Sequence, residues 1–187
     1  MSAAPPASRR EQLLQRAAEL FRERGYHAVG VDEIAAAAGI TGPGLYRHFA
    51  TKQSLLAALF ERAGGQLIQR ARRDVAAAPD EATALVALVR AHLDMATRDR
   101  ALLAVYLHEV RSLAPDDRAR LATQRHDYYR VWGEVIGALR PELPDEDVAV
   151  VVRALLGLLN TAGEVADDAD QAERILGPMA RAAALGA

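Results

Sequence analysis

Hydrogen-bond donors gather in one short stretch of the chain, between residues 41 and 52. Four small residues open the stretch, and four side chains that can donate hydrogen bonds follow. The eight residues are Thr41, Gly42, Pro43, Gly44, Tyr46, Arg47, His48 and Lys52. Small residues at the start of a helix let its exposed backbone amides approach phosphate oxygens and base edges. The stretch therefore favours noncovalent recognition of double-stranded DNA.

The individual donors allow different contacts with a duplex. Arg47 lies one turn beyond the small residues, so it can reach a guanine edge or a phosphate, and both roles stay open. Tyr46 and His48 can donate to the sugar-phosphate backbone, although a half-buried packing role for Tyr46 is the alternative. Lys52, the single lysine of the chain, stands in the first turn of a predicted helix. Positive charge is unfavourable there, which indicates an anionic partner.

Recognisable motifs for covalent or metal chemistry are missing from the sequence, which leaves five histidines as the only soft metal ligands. Cysteine is absent, which excludes disulfides, thiolate metal sites and a cysteine nucleophile. The lone lysine, Lys52, is not part of a phosphate-binding GxxxxGK[ST] loop, and the chain has no HExxH, no GxSxG and no ExxH pair. We therefore expect no catalytic residues, no bound cofactor and no metal site. A helical enzyme without a recognisable motif is the remaining alternative.

Three short helices are predicted to position the donors. A capping box between Ser8 and Glu11 begins the first helix, which ends at Gly25. The second helix runs over residues 31–38. A two-residue turn containing glycine then leads to the third helix, which Thr41 caps. Two helices joined by so short a turn form a helix-turn-helix, whose second helix enters the major groove of DNA.

Longer helices are predicted for the rest of the chain. Thr51 caps a connecting helix that ends before Pro79, and prolines and an acidic segment separate the helices that follow. These helices span residues 81–99, 100–113, 116–140, 145–163 and 169–185. No run alternates as a strand would, so the fold class is all-α. The predicted divisions are a disordered arm at 1–7, a helix-turn-helix domain at 8–52, and a C-terminal domain at 53–187.

The segment GYHAVGVDEIAAAAGITGPGLYRHFATK, residues 25–52, resembles the DNA-binding signature of the TetR family. The similarity extends over about residues 8–60. Its matching positions are Gly25-Tyr26, Ile34-Ala35, Ala38-Gly39, Leu45-Tyr46, His48-Phe49 and Lys52. The resemblance implies a dimeric, all-helical transcription factor, a repressor released from a palindromic operator by a small molecule.

Two positions depart from the family pattern. Gly30 stands where the family usually carries a threonine that caps the second helix and touches DNA, so that hydroxyl contact is lost. Pro43 stands where the family often has glycine, so base readout there is by apolar contact with a thymine methyl or is absent.

The resemblance also implies a ligand-binding core beyond about residue 80 and dimerisation through the helices near 145–163 and 169–185. Independent support comes from an apolar stripe in the first of these helices, too broad for one packing partner. Its members are Val148, Val151, Val152, Leu155, Leu156 and Leu159. The alternative is a helix buried inside the monomer.

Candidate ligand-binding residues are the aromatic and polar groups on otherwise apolar faces. They are His92, Met95, Tyr106, Glu109, Tyr128, Trp132 and Asn160. Such a site suits a lipophilic effector with one polar group, although aromatic residues at helical spacing are more often plain core. The segment LLAVYLHEVRSL with the following PDDR resembles regulators that respond to acyl-CoA thioesters.

Bulk composition is compatible with these predictions. Residues 1–52 hold seven Lys/Arg against five acids, net +2, and the remainder holds sixteen against twenty, net −4. Phosphate is therefore attracted toward the N-terminal part. No signal peptide or membrane span is expected, which places the chain in the cytoplasm. A DNA-binding module without an effector is the second functional alternative.

Overall fold

The computed structural model describes residues 8–186, so the predicted disordered arm lies outside the described residues. The described part is built of helices and contains no strand, which confirms the predicted all-α fold. We number the α-helices in chain order. They are α1 (Arg9–Arg24), α2 (Val31–Ala37), α3 (Gly42–Tyr46), α4 (Lys52–Ala77), α5 (Glu81–Arg98), α6 (Arg100–Glu109), α7 (Pro115–Leu139), α8 (Asp145–Asn160), α9 (Ala162–Val165) and α10 (Ala169–Leu185). A 3₁₀ turn, Val110–Ser112, follows α6.

The N-terminal helices α1, α2 and α3 pack with the first half of α4 around one apolar cluster. The buried residues of α1 recur at helical spacing, as its predicted apolar face requires. They are Leu13, Leu14, Ala17 and Phe21. Leu113 and Leu121, from the C-terminal half, also lie in this cluster. The N-terminal domain is therefore packed directly against the rest of the chain.

Side-chain caps fix the starts of these helices. The Ser8 hydroxyl accepts a hydrogen bond from the Glu11 amide at 3.2 Å. The Glu11 carboxylate does not return to Ser8 but pairs with Arg62 of α4 at 2.9 Å, so the second half of the predicted capping box is wrong. Because Arg62 offers a charged donor, Glu11 links α1 to α4 instead. The predicted cap by Thr41 is confirmed, since its hydroxyl accepts from the Gly44 amide at 3.3 Å.

A second apolar cluster forms from the second half of α4 and from α5, α7, α8 and α10. Trp132 of α7 has no exposed surface there. The apolar stripe of α8 faces into the same cluster, with Val148, Val152 and Leu159 among its buried members. Five of the six stripe residues are therefore covered within one chain, as the alternative interpretation holds, whereas Val151 is only partly buried. A dimer face on α8 would have to use mainly other residues.

Helix α4 belongs to both clusters. Its residues Leu55–Phe60 are buried in the N-terminal cluster, and Ile68 is buried in the C-terminal one. None of residues 61–67 is fully buried, and Gly64 and Gly65 lie among them. One continuous helix thus contributes to both apolar clusters.

The observed helices agree with the predicted ones to within a few residues except in two places. Helix α3 ends at Tyr46, and Arg47 turns the chain instead of continuing the helix. Two glycines and a proline in so short a helix favour early termination. The helix predicted over 145–163 is interrupted at Thr161, which separates α8 from α9.

The segment Asp145–Val165 is long and apolar enough, by length and composition alone, to cross a membrane, with a mean hydropathy of 1.6. A third of it is buried inside the chain. Buried core helices of globular proteins meet the same criterion. The apolar surface of this segment that stays exposed in the single chain is the kind of surface that commonly marks an interaction site.

Candidate functional site

The predicted DNA-contacting residues lie on the surface of the N-terminal cluster. The exposed members of the set are Thr41, Pro43, Tyr46, Arg47 and His48. Tyr46 is 53% exposed, which argues against a packing role. Leu45 and Phe49 are buried on the opposite side, so α3 and the turn after it have one inward and one outward face. The outward face presents hydrogen-bond donors to solvent.

Gly42 lies against α2 as well as being a candidate DNA contact. A Cβ atom at this position would collide with the Asp32 carboxylate of α2. Asp32 therefore lies close to the first turn of α3, and its exposed side chain can move aside. Any DNA contact at Gly42 has to come from its backbone.

Lys52 has partners inside the chain. Its ammonium donates to the Tyr26 carbonyl oxygen at 2.6 Å and lies 4.2 Å from the Tyr26 ring centroid and 5.8 Å from that of Phe21. Burial lowers the pKa of Lys52. These contacts give Lys52 a structural role, and they explain the position of its charged ammonium group without an external anion. A phosphate contact through its remaining N–H groups stays a prediction.

Two further arginines, which sequence reasoning missed, reach the helix-turn-helix from α1. The Arg10 guanidinium lies 5.0 Å from the ring centroid of Phe49, at the end of the turn after α3. Arg9 donates to the Ala38 carbonyl at the end of α2, at 3.2 Å. Two cations in the first turn of a helix are unfavourable with respect to its dipole. The position of Arg9 and Arg10 at the start of α1 is therefore the sequence feature that could have indicated an anionic partner.

A cavity lies in the C-terminal half between α4, α5, α6, α7 and α8. Its volume is about 240 Å³, slightly below the roughly 300–1,000 Å³ typical of sites for drug-sized ligands. Apolar side chains form much of its wall. They include Phe60, Leu67, Leu102, Leu103 and Leu156. The cavity therefore accommodates the apolar body of a small ligand.

Three polar side chains on three helices join at the wall of this cavity. His92 Nδ1 lies 3.1 Å from the Tyr128 hydroxyl, and His92 Nε2 lies 3.0 Å from Asn160 Oδ1. Burial lowers the pKa of His92 to about 4, against a smaller opposing effect of the Asn160 hydrogen bond. Burial also raises the pKa of Tyr128. The cluster is consequently uncharged at neutral pH.

Charged groups at the cavity are largely paired. Arg70 of α4 lies 2.5 Å from Asp94 and 3.6 Å from Asp74. Arg98 lies 3.4 Å from Asp94 and 3.5 Å from Asp99. The Asp94 hydrogen bond raises the pKa of Arg70, and Arg70 in turn lowers the pKa of Asp94. These ion pairs connect α4 to α5 beside the cavity.

The structure brings five of the seven predicted ligand-binding residues to the cavity wall. These are His92, Met95, Tyr106, Tyr128 and Asn160. Trp132 does not reach the wall, because it is fully buried with its ring 6.2 Å from that of Tyr128. Glu109 does not either, because it ends α6 and lies 3.4 Å from His27 Nε2. The wall formed by α4 was missed, since its sequence indicates only a connecting helix.

The cavity and the DNA-contacting face are joined by contacts between α1 and α6. Arg22 of α1 pairs with Asp99, at the start of α6, at 3.3 Å. His27, in the turn after α1, approaches Glu109 at the far end of α6. Because residues of α6 also line the cavity, one helix contacts both regions.

The fold and these two sites define a helix-turn-helix protein with a separate cavity-bearing helical core. Residues 13–59 match the family described as bacterial regulatory proteins, tetR family. Residues 78–164 match the tetracyclin repressor-like C-terminal domain. The chain therefore belongs to the TetR family, as the sequence resemblance predicts.

Individual relatives agree with this assignment. The HTH-type transcriptional activator FasR of Mycolicibacterium smegmatis is 41% identical over 95 residues, which cover 51% of this chain and only 43% of FasR. The HTH-type transcriptional repressor KstR2 of Mycobacterium tuberculosis is 33% identical over 153 residues, which cover 78% of this chain and 75% of KstR2. The solved structure of the M. tuberculosis ketosteroid transcriptional regulator KstR2 has a TM-score of 0.74 and 26% identity, covering 100% of this chain and 98% of that one.

Proposed function

We propose that this chain is a ligand-responsive transcriptional repressor that binds a palindromic operator as a homodimer and is released by a small lipophilic effector. The observation that carries the proposal is the position of α4. This helix begins beside the DNA-contacting turn and also supplies Phe60, Leu67 and Arg70 to the wall of the cavity. A ligand that displaces these residues acts on the same rigid element that supports the turn.

DNA recognition is assigned to the outward face of α3 and the turn that follows. Arg47 and Tyr46 are exposed and unobstructed by their own domain. Arg10 is held beside the same turn and is expected to contact a backbone phosphate. Such phosphate contacts give affinity that falls steeply with salt, whereas base contacts give sequence preference.

The effector is assigned to the cavity. Its apolar wall and single polar cluster favour a lipophilic compound with one polar group, and a relative, KstR2, is described as a ketosteroid regulator. If the effector is an acyl-CoA thioester, a cavity of about 240 Å³ accommodates the acyl portion, and the phosphorylated portion stays outside.

Homodimerisation is assigned to the exposed apolar residues of α8 and α10. Val150, Ile175 and Met179 are 54%, 53% and 51% exposed in the single chain. Ile175 and Met179 are four residues apart, so they share a face of α10. Apolar surface of this kind is covered in a closed two-fold assembly. The dimer would place two DNA-contacting turns about 34–36 Å apart, one turn of the duplex.

Release follows if the effector favours a dimer whose two turns no longer match that spacing. The Arg22–Asp99 ion pair and the contact between His27 and Glu109, together with α4, are the connections through which the cavity would act on the N-terminal domain. The cytoplasm, where operator DNA is located, is the site of this activity.

The test begins with selection of an operator from random duplexes, followed by fluorescence anisotropy of the selected site. Arg47→Ala is expected to change the preference among operators, and Lys52→Ala to weaken binding to all sequences with a salt slope smaller by about one. If both variants bind the selected operator as the parent does, the assigned recognition surface is wrong.

The effector arm uses the same assay with candidate lipophilic compounds. An effector must weaken operator binding, and operator must weaken effector binding by the same factor, because the coupling is reciprocal. A compound that binds without this reciprocity, or the lack of any releasing compound, would favour a DNA-binding module that has no effector.

A further inference from the structure

We propose that the effector presents an uncharged hydrogen-bond acceptor, the oxygen of a ketone, ester or thioester, to the side-chain amide of Asn160. Free acids and amines with the same carbon skeleton are excluded from the site. This inference rests on the proposed use of the cavity as the effector site and specifies the chemical class of the effector.

The hydrogen bonds of the polar cluster leave one donor unused. Asn160 Oδ1 can only accept, so His92 Nε2 carries the hydrogen in their 3.0 Å contact. His92 Nδ1 then accepts from the Tyr128 hydroxyl at 3.1 Å. His92 is thereby fully occupied, and the hydrogen of Tyr128 is used. The amide NH₂ of Asn160 has no partner among residues 8–186, and Asn160 lines the cavity.

An acceptor atom on the ligand completes this network. Asn160 is only partly buried, so its amide hydrogens are open to solvent when no ligand is bound. A ligand that covers them has to supply an acceptor in place of water, and a ligand oxygen does so. A ligand that offers only a donor, such as an ammonium group, leaves the amide hydrogens unpaired. The fixed direction of the chain from Tyr128 through His92 to Asn160 therefore selects an acceptor.

A carboxylate is an acceptor too, but the cluster offers it no positive charge. His92 and Tyr128 are both neutral, since burial holds the pKa of His92 at about 4 and raises that of Tyr128. A carboxylate in such a place would lose its hydration without an ionic partner.

The arginines at the wall do not supply that partner. Arg70, which acts electrostatically on Tyr128, is already bound by two carboxylates, and Arg98 is bound by two as well. Asp94 belongs to both sets, and Asp99 also pairs with Arg22, so the connected group of three arginines and three aspartates carries no net charge and leaves no unpaired cation for a ligand. Arg125, the third arginine at the wall, is exposed to solvent, where an ion pair has little effect.

The experiment compares ten-carbon probes on the full chain at neutral pH by isothermal titration calorimetry. The probes are 2-decanone, methyl decanoate, 2-decanol, decanoate, decylamine and decane. The ketone and the ester are expected to bind about ten-fold more tightly than decane and at least ten-fold more tightly than decanoate and decylamine. Equal or tighter binding of decanoate or decylamine would overturn the proposal, as would a preference for the alcohol over the ketone.

Two variants at one position complete the test. Asn160→Leu removes the amide and is expected to reduce the preference for ketone over decane to about one, while decane binding persists. Asn160→Asp replaces the donor by an anionic acceptor and is expected to reverse the selectivity, so that decylamine binds more tightly than 2-decanone. Gln69→Leu, which removes an exposed amide of α4 that does not line this cavity, is the matched control and keeps the ketone preference. An unchanged preference in Asn160→Leu refutes the assignment.

The outcomes separate this inference from the proposed function. If decane and 2-decanone bind equally and both release operator DNA, the cavity is an effector site and the carbonyl assignment is wrong. If no probe binds while operator binding persists, the effector part of the proposed function fails and this inference fails with it. The wild-type probe series requires no substitution, so a variant that does not fold leaves the proposal testable.

Discussion

Gly163→Ala should destabilise the chain, although alanine normally favours a helix over glycine. Gly163 lies in α9, and a Cβ atom there would be 2.6 Å from the Ala96 carbonyl oxygen and 2.9 Å from Arg100 Cβ. The first of these atoms is backbone in the last turns of α5, so it cannot move away as a flexible side chain would. Helix α9 has to shift away from the junction of α5 and α6.

The magnitude follows from two opposing contributions. Overpacking of this kind costs about 1–3 kcal/mol, and a glycine-to-alanine change in a helix gains up to about 1 kcal/mol. Because α9 has only four residues, the helical gain is small, and we expect a net loss of about 2 kcal/mol. For a chain of this length that corresponds to a Tm about 4–8 °C lower.

The matched control is Gly137→Ala in the last turn of α7, where a Cβ atom meets nothing within 4 Å. This variant should be unchanged or slightly more stable. Both Tm values are measured by circular dichroism at one protein concentration, because dimerisation makes the Tm depend on concentration. Equal Tm values for the two variants would refute the argument that α9 is packed against the α5–α6 junction.

Three further predictions concern other parts of the chain. Through His92 alone, the free energy of unfolding should be about 2 kcal/mol lower at pH 5 than at pH 7.5. The folded pKa of about 4 lies below the unfolded value of 6.5, so the unfolded state binds more protons in that range. Urea denaturation at both pH values, compared with His92→Gln, which lacks this contribution, measures the effect. Arg10→Gln should lower the salt slope of operator binding by about one and should weaken binding to all duplexes alike. The control is Arg16→Gln, which should change neither quantity, because Arg16 pairs with a glutamate of its own helix at 2.7 Å. Equal salt slopes for the two variants would show that Arg10 does not contact DNA. A Cβ atom at Gly157 meets nothing within 4 Å in the single chain, so Gly157→Ala should stabilise α8. The same change should weaken dimerisation if α8 packs closely on the α8 of a second subunit. An unchanged dimer dissociation constant in sedimentation equilibrium would place the dimer face elsewhere.

Local sequence signals predicted the helices well because their boundaries are set by nearby residues. Thr41 and Thr51 cap α3 and α4 as their hydroxyls predict. Gly25 and Gly39 follow α1 and α2 with φ angles of 80° and 69°, values that glycine adopts without strain. Helix caps and terminating glycines depend only on residues that are close together in the sequence, so they can be predicted from the sequence pattern.

Contacts between distant helices were harder to predict. Nothing near Glu11 indicates that Arg62 lies in reach of its carboxylate, and Glu109 looks like a pocket residue until the fold brings it to His27. Likewise, Lys52 resembles a phosphate ligand until its ammonium is found on the Tyr26 carbonyl. In each case an ionisable side chain had two chemically suitable partners, and only tertiary packing decides between them.

The division of α4 has a practical consequence for building sensors. A crossover at Gly64-Gly65 would join the N-terminal domain of one regulator to the ligand-binding core of another without cutting through a fully buried stretch of α4. The new contacts would lie where the ligand-binding core meets the N-terminal cluster. Leu113 and Leu121 are buried in that cluster, and four further core residues are partly buried against it: Leu102, Val105, Tyr106 and Val110. Donor proteins chosen to carry matching apolar residues at these positions should yield chimeras that keep the operator of one parent and the inducer of the other.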